Sequence, residues 1–93
     1  LIKNAVDALT GRNNGAIQLK AFSAGDGTLI QVVDNGIGIS GDIIDDIFVP
    51  FYTTKESGSG IGLSLSKQIM QNHGGTISVS SAPDKGSEFT LKF

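Results

Sequence analysis

Four groups of residues in this chain have side chains and spacing that could do chemistry. The first is Asp34-Asn35-Gly36-Ile37-Gly38-Ile39. A carboxylate at the mouth of a crevice can accept a hydrogen bond from an exocyclic amine such as that of adenine, and glycines without a Cβ would admit a flat base against the backbone. The competing reading is an Asn-Gly hairpin turn that Asp34 only caps. The second group is Gly58-Ser59-Gly60-Ile61-Gly62-Leu63, running straight into a helical pattern. Glycines ahead of a helix leave N–H groups that can face a phosphate at the positive end of the helix dipole. A plain hinge before a helix is the alternative. The spacing is not the dinucleotide fingerprint, no strand precedes it, and no phosphate-loop motif occurs, so those two kinds of site are excluded. The third is Asn4, whose amide oxygen suits Mg²⁺, against a solvated asparagine on a helix face. The fourth is Ile47 to Lys55, where Phe48 and Phe51 could anchor one end of a loop and Lys55 could meet a phosphate; a small apolar cluster with a solvated lysine is the alternative.

The surrounding sequence must supply elements that position these groups. Leu1, Ile2, Ala5, Ala8 and Leu9 recur at helical spacing and place Asn4 on a helix that stops near Thr10-Gly11. Residues 16–24 alternate apolar and polar, and 28–34 are β-branched and apolar; with Gly25-Asp26-Gly27 between them they predict an antiparallel hairpin ending at Asp34. Ser40 is a reasonable N-cap for a short helix over 42–47. Residues 49–60, with Pro50, Gly58 and Gly60, predict a loop. Residues 61–72 form the strongest amphipathic helix pattern, ended by Gly74. Residues 76–81 and 88–93 alternate again around a Pro83-Asp84-Lys85-Gly86 turn. Helix, two strands, helix, loop, helix and two strands predict a two-layer α/β sandwich, a mixed sheet with helices on one face.

Composition narrows the function classes. A chain of 93 residues makes one small domain, which buries only about 60% of its unfolded surface. The seven Lys and Arg are dispersed and the net charge is −2, which leaves no electrostatic footprint for nucleic acid or an anionic membrane. There is no Cys, so there are no disulfides or thiolate metal sites, in keeping with a reducing, cytoplasmic setting. No apolar run approaches the ~20 residues that span a bilayer.

Taken in order, these segments resemble the Bergerat-fold ATPase superfamily of gyrases, heat-shock chaperone ATPases, mismatch-repair ATPases and histidine kinases. Leu-Ile-Lys-Asn-Ala-Val-Asp-Ala looks like its N box, Asp-Asn-Gly-Ile-Gly-Ile like its first glycine box, and Gly-Ser-Gly-Ile-Gly-Leu like its second. Gly86-Ser87-Glu88-Phe89-Thr90 is similar to the last glycine box of the kinases. Ile-Phe-Val-Pro-Phe-Tyr-Thr-Thr-Lys is similar to the F box, and Asn72-His73-Gly74-Gly75 is also typical of histidine kinases. The likeness covers nearly the whole chain, and four boxes in one order make it specific.

The resemblance implies a catalytic ATP-binding domain of a sensor histidine kinase over residues 1–93, with the family's first strand and the start of its first helix missing. It implies ATP and Mg²⁺ as ligands. Asn4 would hold the metal, Asp34 would select adenine, and Gly36 and Gly38 would line the base pocket. Gly58, Gly60, Gly62 and Leu63 would border the triphosphate at the end of an ATP lid, with Lys55 contacting phosphate. The γ-phosphoryl group would pass to a histidine on a separate dimerisation and phosphoacceptor domain, with a response regulator downstream. His73, the sole histidine, lacks the context of a phosphoacceptor and reads as a helix-end residue. The residue that separates hydrolytic members from kinases falls just before Leu1. A Bergerat-fold ATPase driving conformational work, and a non-catalytic nucleotide-binding or interaction module, are the alternatives. A missing edge strand would leave apolar surface uncovered and favour self-association.

Overall fold

The computed structural model describes residues 1–11, 13–25, 27–52 and 62–93. The chain runs α1 (Ile2–Ala8), β1 (Ile17–Ala24), β2 (Gly27–Asp34), α2 (Gly62–Asn72), β3 (Thr76–Ser81) and β4 (Ser87–Lys92). The strands form one sheet in the order β1-β2-β4-β3, and every pairing is antiparallel. The expected mixed sheet differs in one respect. β2 and β3 do run parallel, but β4 returns between them and pairs with both. The crossover through α2 therefore joins strands that are not neighbours.

Alternation decides which side chains face the helices. Ile30 and Val32 of β2, Phe89 and Leu91 of β4, and Ile77 and Val79 of β3 fall in register on one face. α1 lies against β2 and α2 against β3 on that face. The buried apolar residues are Ala5, Val32, Ile47, Met70 and Phe89, a small core for a small domain. On the opposite face the Gln31 amide donates to Glu88 at 2.7 Å and to Thr90 Oγ1 at 3.2 Å, a polar row that suits a solvated surface. The helical layer leaves part of its own face bare: Leu19 on edge strand β1 is 65% exposed and Leu65 on α2 is 55% exposed. No helix among the described residues is long and apolar enough to cross a membrane.

The short helix expected over 42–47 does not form. Ser40 Oγ accepts from Asp42 N–H at 3.2 Å, as a cap would, but the chain then runs through successive turns. Ile43 donates to Ser40, Asp46 to Ile43, Val49 to Asp46 and Tyr52 to Val49, each spanning three residues rather than four. Three isoleucines and three aspartates in the six positions 42–47 are poor helix formers, and the short reach of each turn follows. Phe48 nevertheless anchors this segment. Its ring meets Phe89 edge-on, with centroids 6.4 Å apart, and Lys67 Nζ of α2 sits 6.0 Å from its centroid. Phe51, the expected second anchor, is 77% exposed and holds a φ of 69°, so it anchors nothing in the core.

α2 ends as its sequence requires. Gly74 takes a φ of 73°, its N–H reaches Gln71 O at 3.0 Å, and Gly75 N–H reaches Met70 O at 2.8 Å. That double closure is the Schellman arrangement. His73 Nδ1 lies 2.7 Å from Ile69 O and must carry the proton, because a carbonyl can only accept. The residue closes a helix end, as its position suggests.

Candidate functional site

β2 delivers Asp34 to the end of the sheet with its side chain on the helix face. The residue is only 6% exposed. Its Oδ1 accepts the N–H of Gly36 at 2.9 Å, so the carboxylate closes the turn that follows it. No other hydrogen bond to this carboxylate comes from the described residues. The turn-capping reading of Asp34 thus accounts for one oxygen and leaves the second without a partner among the described residues. Asn35 turns the other way: its side chain accepts from Ala16 N–H at 2.7 Å and donates to Asn14 O at 2.8 Å, fastening the 13–16 loop to the glycine segment.

The glycine segment itself is clamped from two sides. From α1, Ala8 O accepts Ile37 N–H at 3.2 Å, and a Cβ on Gly36 would stand 2.8 Å from the Ala8 Cβ. From the β3–β4 turn, Asp84 N–H donates to Ile37 O at 2.7 Å, and Ile39 N–H donates to Ser81 Oγ at 2.8 Å. Gly38 holds a φ of 75°, and a Cβ there would sit 2.8 Å from the Ala82 carbonyl carbon. Gly86 closes the same contact from the other direction, where a Cβ would lie 2.8 Å from Asn35 Cα. The role expected of Gly36 and Gly38 is to make room for a flat base. In the structure their missing side chains make room for α1 and for the backbone of the 82–86 turn.

Asn4 lies one helical turn before Ala8, on the same face of α1. It is half-buried, and the helix it sits on is tied to the glycine segment through Ala8. Gly62 opens α2, and a Cβ added to it would meet nothing within 4 Å; its carbonyl accepts from Ser66 Oγ at 2.9 Å. Leu63 is half-buried on the first turn of that helix. Lys55, Gly58 and Gly60 lie outside the described residues. The structure thus joins Asp34, Gly36 and Gly38 in one clamp with the helix that carries Asn4.

Two serines join Asp34: Ser87, which the last glycine box contains without a role assigned to it, and Ser81, which lies outside the motifs. Ser87 of β4 is its register partner and is 6% exposed; Ser81 of β3 is the register partner of Ser87, and the two hydroxyls lie 2.9 Å apart. Ser81 Oγ also reaches Gly86 O at 2.8 Å. A signal for both was present in the alternation: each occupies an inward position on a strand whose other inward residues, Ile77, Val79, Phe89 and Leu91, are apolar. A hollow of about 280 Å³ opens at this rim of the sheet. Its wall includes Asp34, Ser87 and Ser81 of the inward row together with Val33, Ser80 and Glu88 of the outer face, so it wraps the end of the strands.

This clamp and its carboxylate sit in a known frame. The family model described as histidine kinase-, DNA gyrase B-, and HSP90-like ATPase matches residues 1–93, and the chain belongs to that family. Within it the likeness runs to sensor histidine kinases. The chain is 45% identical over 91 residues to the sensor histidine kinase ZraS of Escherichia coli (strain K12), covering 98% of this chain and 19% of that protein. It is 43% identical over 91 residues to the C4-dicarboxylate transport sensor protein DctB of Rhizobium meliloti (strain 1021), covering 98% of this chain and 14% of that protein. The chain therefore spans less than a fifth of the length of these curated relatives. The catalytic domain of the histidine kinase ThkA superposes with a TM-score of 0.82 at 29% identity, over 99% of this chain and 59% of that one. The expected recognition and fold are borne out.

Proposed function

We propose that the chain binds Mg-ATP and positions its γ-phosphoryl group for transfer to a histidine on a separate dimerisation and phosphoacceptor domain, with a response regulator as the later recipient. The observation that carries the proposal is the buried Asp34 carboxylate, with one oxygen engaged by Gly36 and the other available to a ligand. A buried acceptor beside the hydroxyl of Ser87 suits the 6-amino group of adenine.

Each group then has a part. Asp34 accepts from the base. The clamped segment 36–38 fixes the floor on which the base lies, with Gly36 and Gly38 lining it. Gly62, with open space where a side chain would be, leaves the start of α2 free for the triphosphate to approach its N–H groups. Leu63, half-buried on the first turn of α2, is assigned with Lys55, Gly58 and Gly60 to the phosphate end of the site from the motif alone. The amide oxygen of Asn4 is a hard donor that suits Mg²⁺, an ion that keeps waters and takes phosphate oxygens and so asks for few protein ligands. Bound there, the ion would neutralise charge developing on the phosphates. The remaining work is positioning, because the acceptor imidazole is itself the nucleophile. The likeness to sensor kinases favours this reading over an ATPase that drives conformational work.

Nucleotide titration of the wild type and Asp34→Asn tests the base assignment. The amide introduced by this substitution can keep the Gly36 contact through its oxygen, but its hydrogens then confront those of adenine. ATP affinity should fall at least about tenfold. Equal affinity in the two proteins would overturn the assignment. Phosphohistidine appearing on an added phosphoacceptor domain would confirm transfer, whereas phosphate release alone would identify a hydrolase.

A further inference from the structure

Ser81 sits one strand away from Asp34 and has a more demanding bonding pattern than any other hydroxyl at this end of the sheet. Its oxygen takes the Ile39 N–H at 2.8 Å and lies 2.8 Å from Gly86 O and 2.9 Å from Ser87 Oγ. A serine hydroxyl has one hydrogen and two lone pairs. Ile39 N–H can only donate, so it uses one lone pair. Gly86 O can only accept, so it takes the hydrogen. For the third contact to be a hydrogen bond as well, Ser87 must give its own hydrogen to the remaining lone pair of Ser81. Only this assignment makes all three contacts bonds, and it leaves Ser87 Oγ with nothing but lone pairs to offer elsewhere. Ser87 is the register partner of Asp34, whose carboxylate is also an acceptor when ionised.

We propose that Ser81 is a positioning residue that sets base specificity: by capturing the Ser87 hydrogen it holds the floor of the base site as a surface of acceptors, which admits a 6-amino purine and disfavours a 6-oxo purine. This rests on the nucleotide reading given above. Ser81 itself touches no ligand. Its effect passes through the orientation of the Ser87 hydroxyl, and through Ile39 it also holds the glycine segment that carries the floor. A 6-oxo base brings an acceptor to Asp34 and Ser87, where no hydrogen is available to meet it, and a buried acceptor left unmatched is disfavoured.

The test compares ATP with inosine triphosphate, in which an oxygen replaces the amino group at position 6 and N1 carries a hydrogen, on the full-length protein and its variants. The wild type should prefer ATP by about tenfold or more. In Ser81→Ala the Ser87 hydroxyl is free to turn and donate, so the preference should shrink at least about fivefold. Loss of the Ile39 contact in that variant weakens both nucleotides alike and cancels in the ratio. Ser81→Thr retains a hydroxyl and should keep the wild-type ratio. Should Ser81→Ala not fold, Ser81→Cys serves, since a thiol is too weak a partner to hold the Ser87 hydrogen. An Ala or Cys variant whose ATP-to-inosine ratio equals that of the wild type overturns the proposal, while Asp34→Asn still loses ATP. A wild type that does not distinguish the two nucleotides, with Asp34→Asn unchanged, would instead overturn the nucleotide reading and this proposal with it.

Discussion

Two glycine-rich segments frame the candidate site, and the glycines described in them sit in different surroundings. At Asp34–Ile39 every absent side chain is accounted for by the protein. Gly36 abuts Ala8, Gly38 abuts Ala82, and Gly86 of the facing turn abuts Asn35. At the start of α2, Gly62 abuts none of the described residues, and its φ is not in the left-handed region. The first segment is closed by internal packing, while at Gly62 the described residues leave space beside the start of α2. For the proposed function this divides the labour: the base end is built in advance, and the phosphate end is left for the ligand to complete. Preorganisation at one end suits selectivity, because a fixed acceptor cannot rearrange to suit the wrong base.

The comparison breaks most visibly at Gly38. Gly38→Ala combines a left-handed backbone, costing about 1–2 kcal/mol for an L residue, with overpacking against the Ala82 backbone that adds about 1–3 kcal/mol. A small domain has little stability to spare, so the variant should be largely unfolded, or its urea midpoint sharply lowered. Gly25→Ala is the control. That glycine shares a positive φ, 59°, but faces open space, so only the backbone cost of about 1–2 kcal/mol remains. Equal losses at the two positions would show that the close approach to Ala82 contributes nothing.

Asn35 tests the clamp more gently. Its side chain makes two hydrogen bonds to the 13–16 loop but none to α1 or the 82–86 turn. Asn35→Ala should cost about 1–2 kcal/mol in chemical denaturation, with ATP affinity changed by less than about threefold. A large loss of affinity would mean that the 13–16 loop, and not only α1 and the turn, holds the base floor.

Much of this arrangement was legible in the residues. Both hairpins, both main helices and the placement of Asp34 at a strand end follow from alternation, helical spacing and turn residues, and the structure has them within a residue or two. Gly74 was readable as a helix terminator because a left-handed cap is a local requirement. What escaped was non-local. Nothing near Gly38 in the chain says that Ala82 will press against it, and nothing near Asp34 says that two serines from other strands will share its row. The antiparallel sheet escaped for the same reason, since the return of β4 between β2 and β3 is a property of pairing rather than of any one strand. The helix expected at 42–47 failed differently: Ser40 offered a cap, and the β-branched and acidic residues after it did not continue what it began.

The smallest effect on stability, and the sharpest test of the contrast, belongs to Gly62. Gly62→Ala places a methyl group in open space at the first position of a helix, where alanine is the better helix former by up to about 1 kcal/mol. The variant should be as stable as the wild type or slightly more so in thermal unfolding. If that space is where the triphosphate approaches the start of α2, the same methyl group should lower ATP affinity several-fold and leave the affinity for adenosine, which has no phosphates, unchanged. Stability and phosphate binding would then move in opposite directions at a single position, which no packing role for Gly62 can produce. A variant that binds ATP as well as the wild type would place the phosphates elsewhere, and the second glycine segment would be a hinge after all.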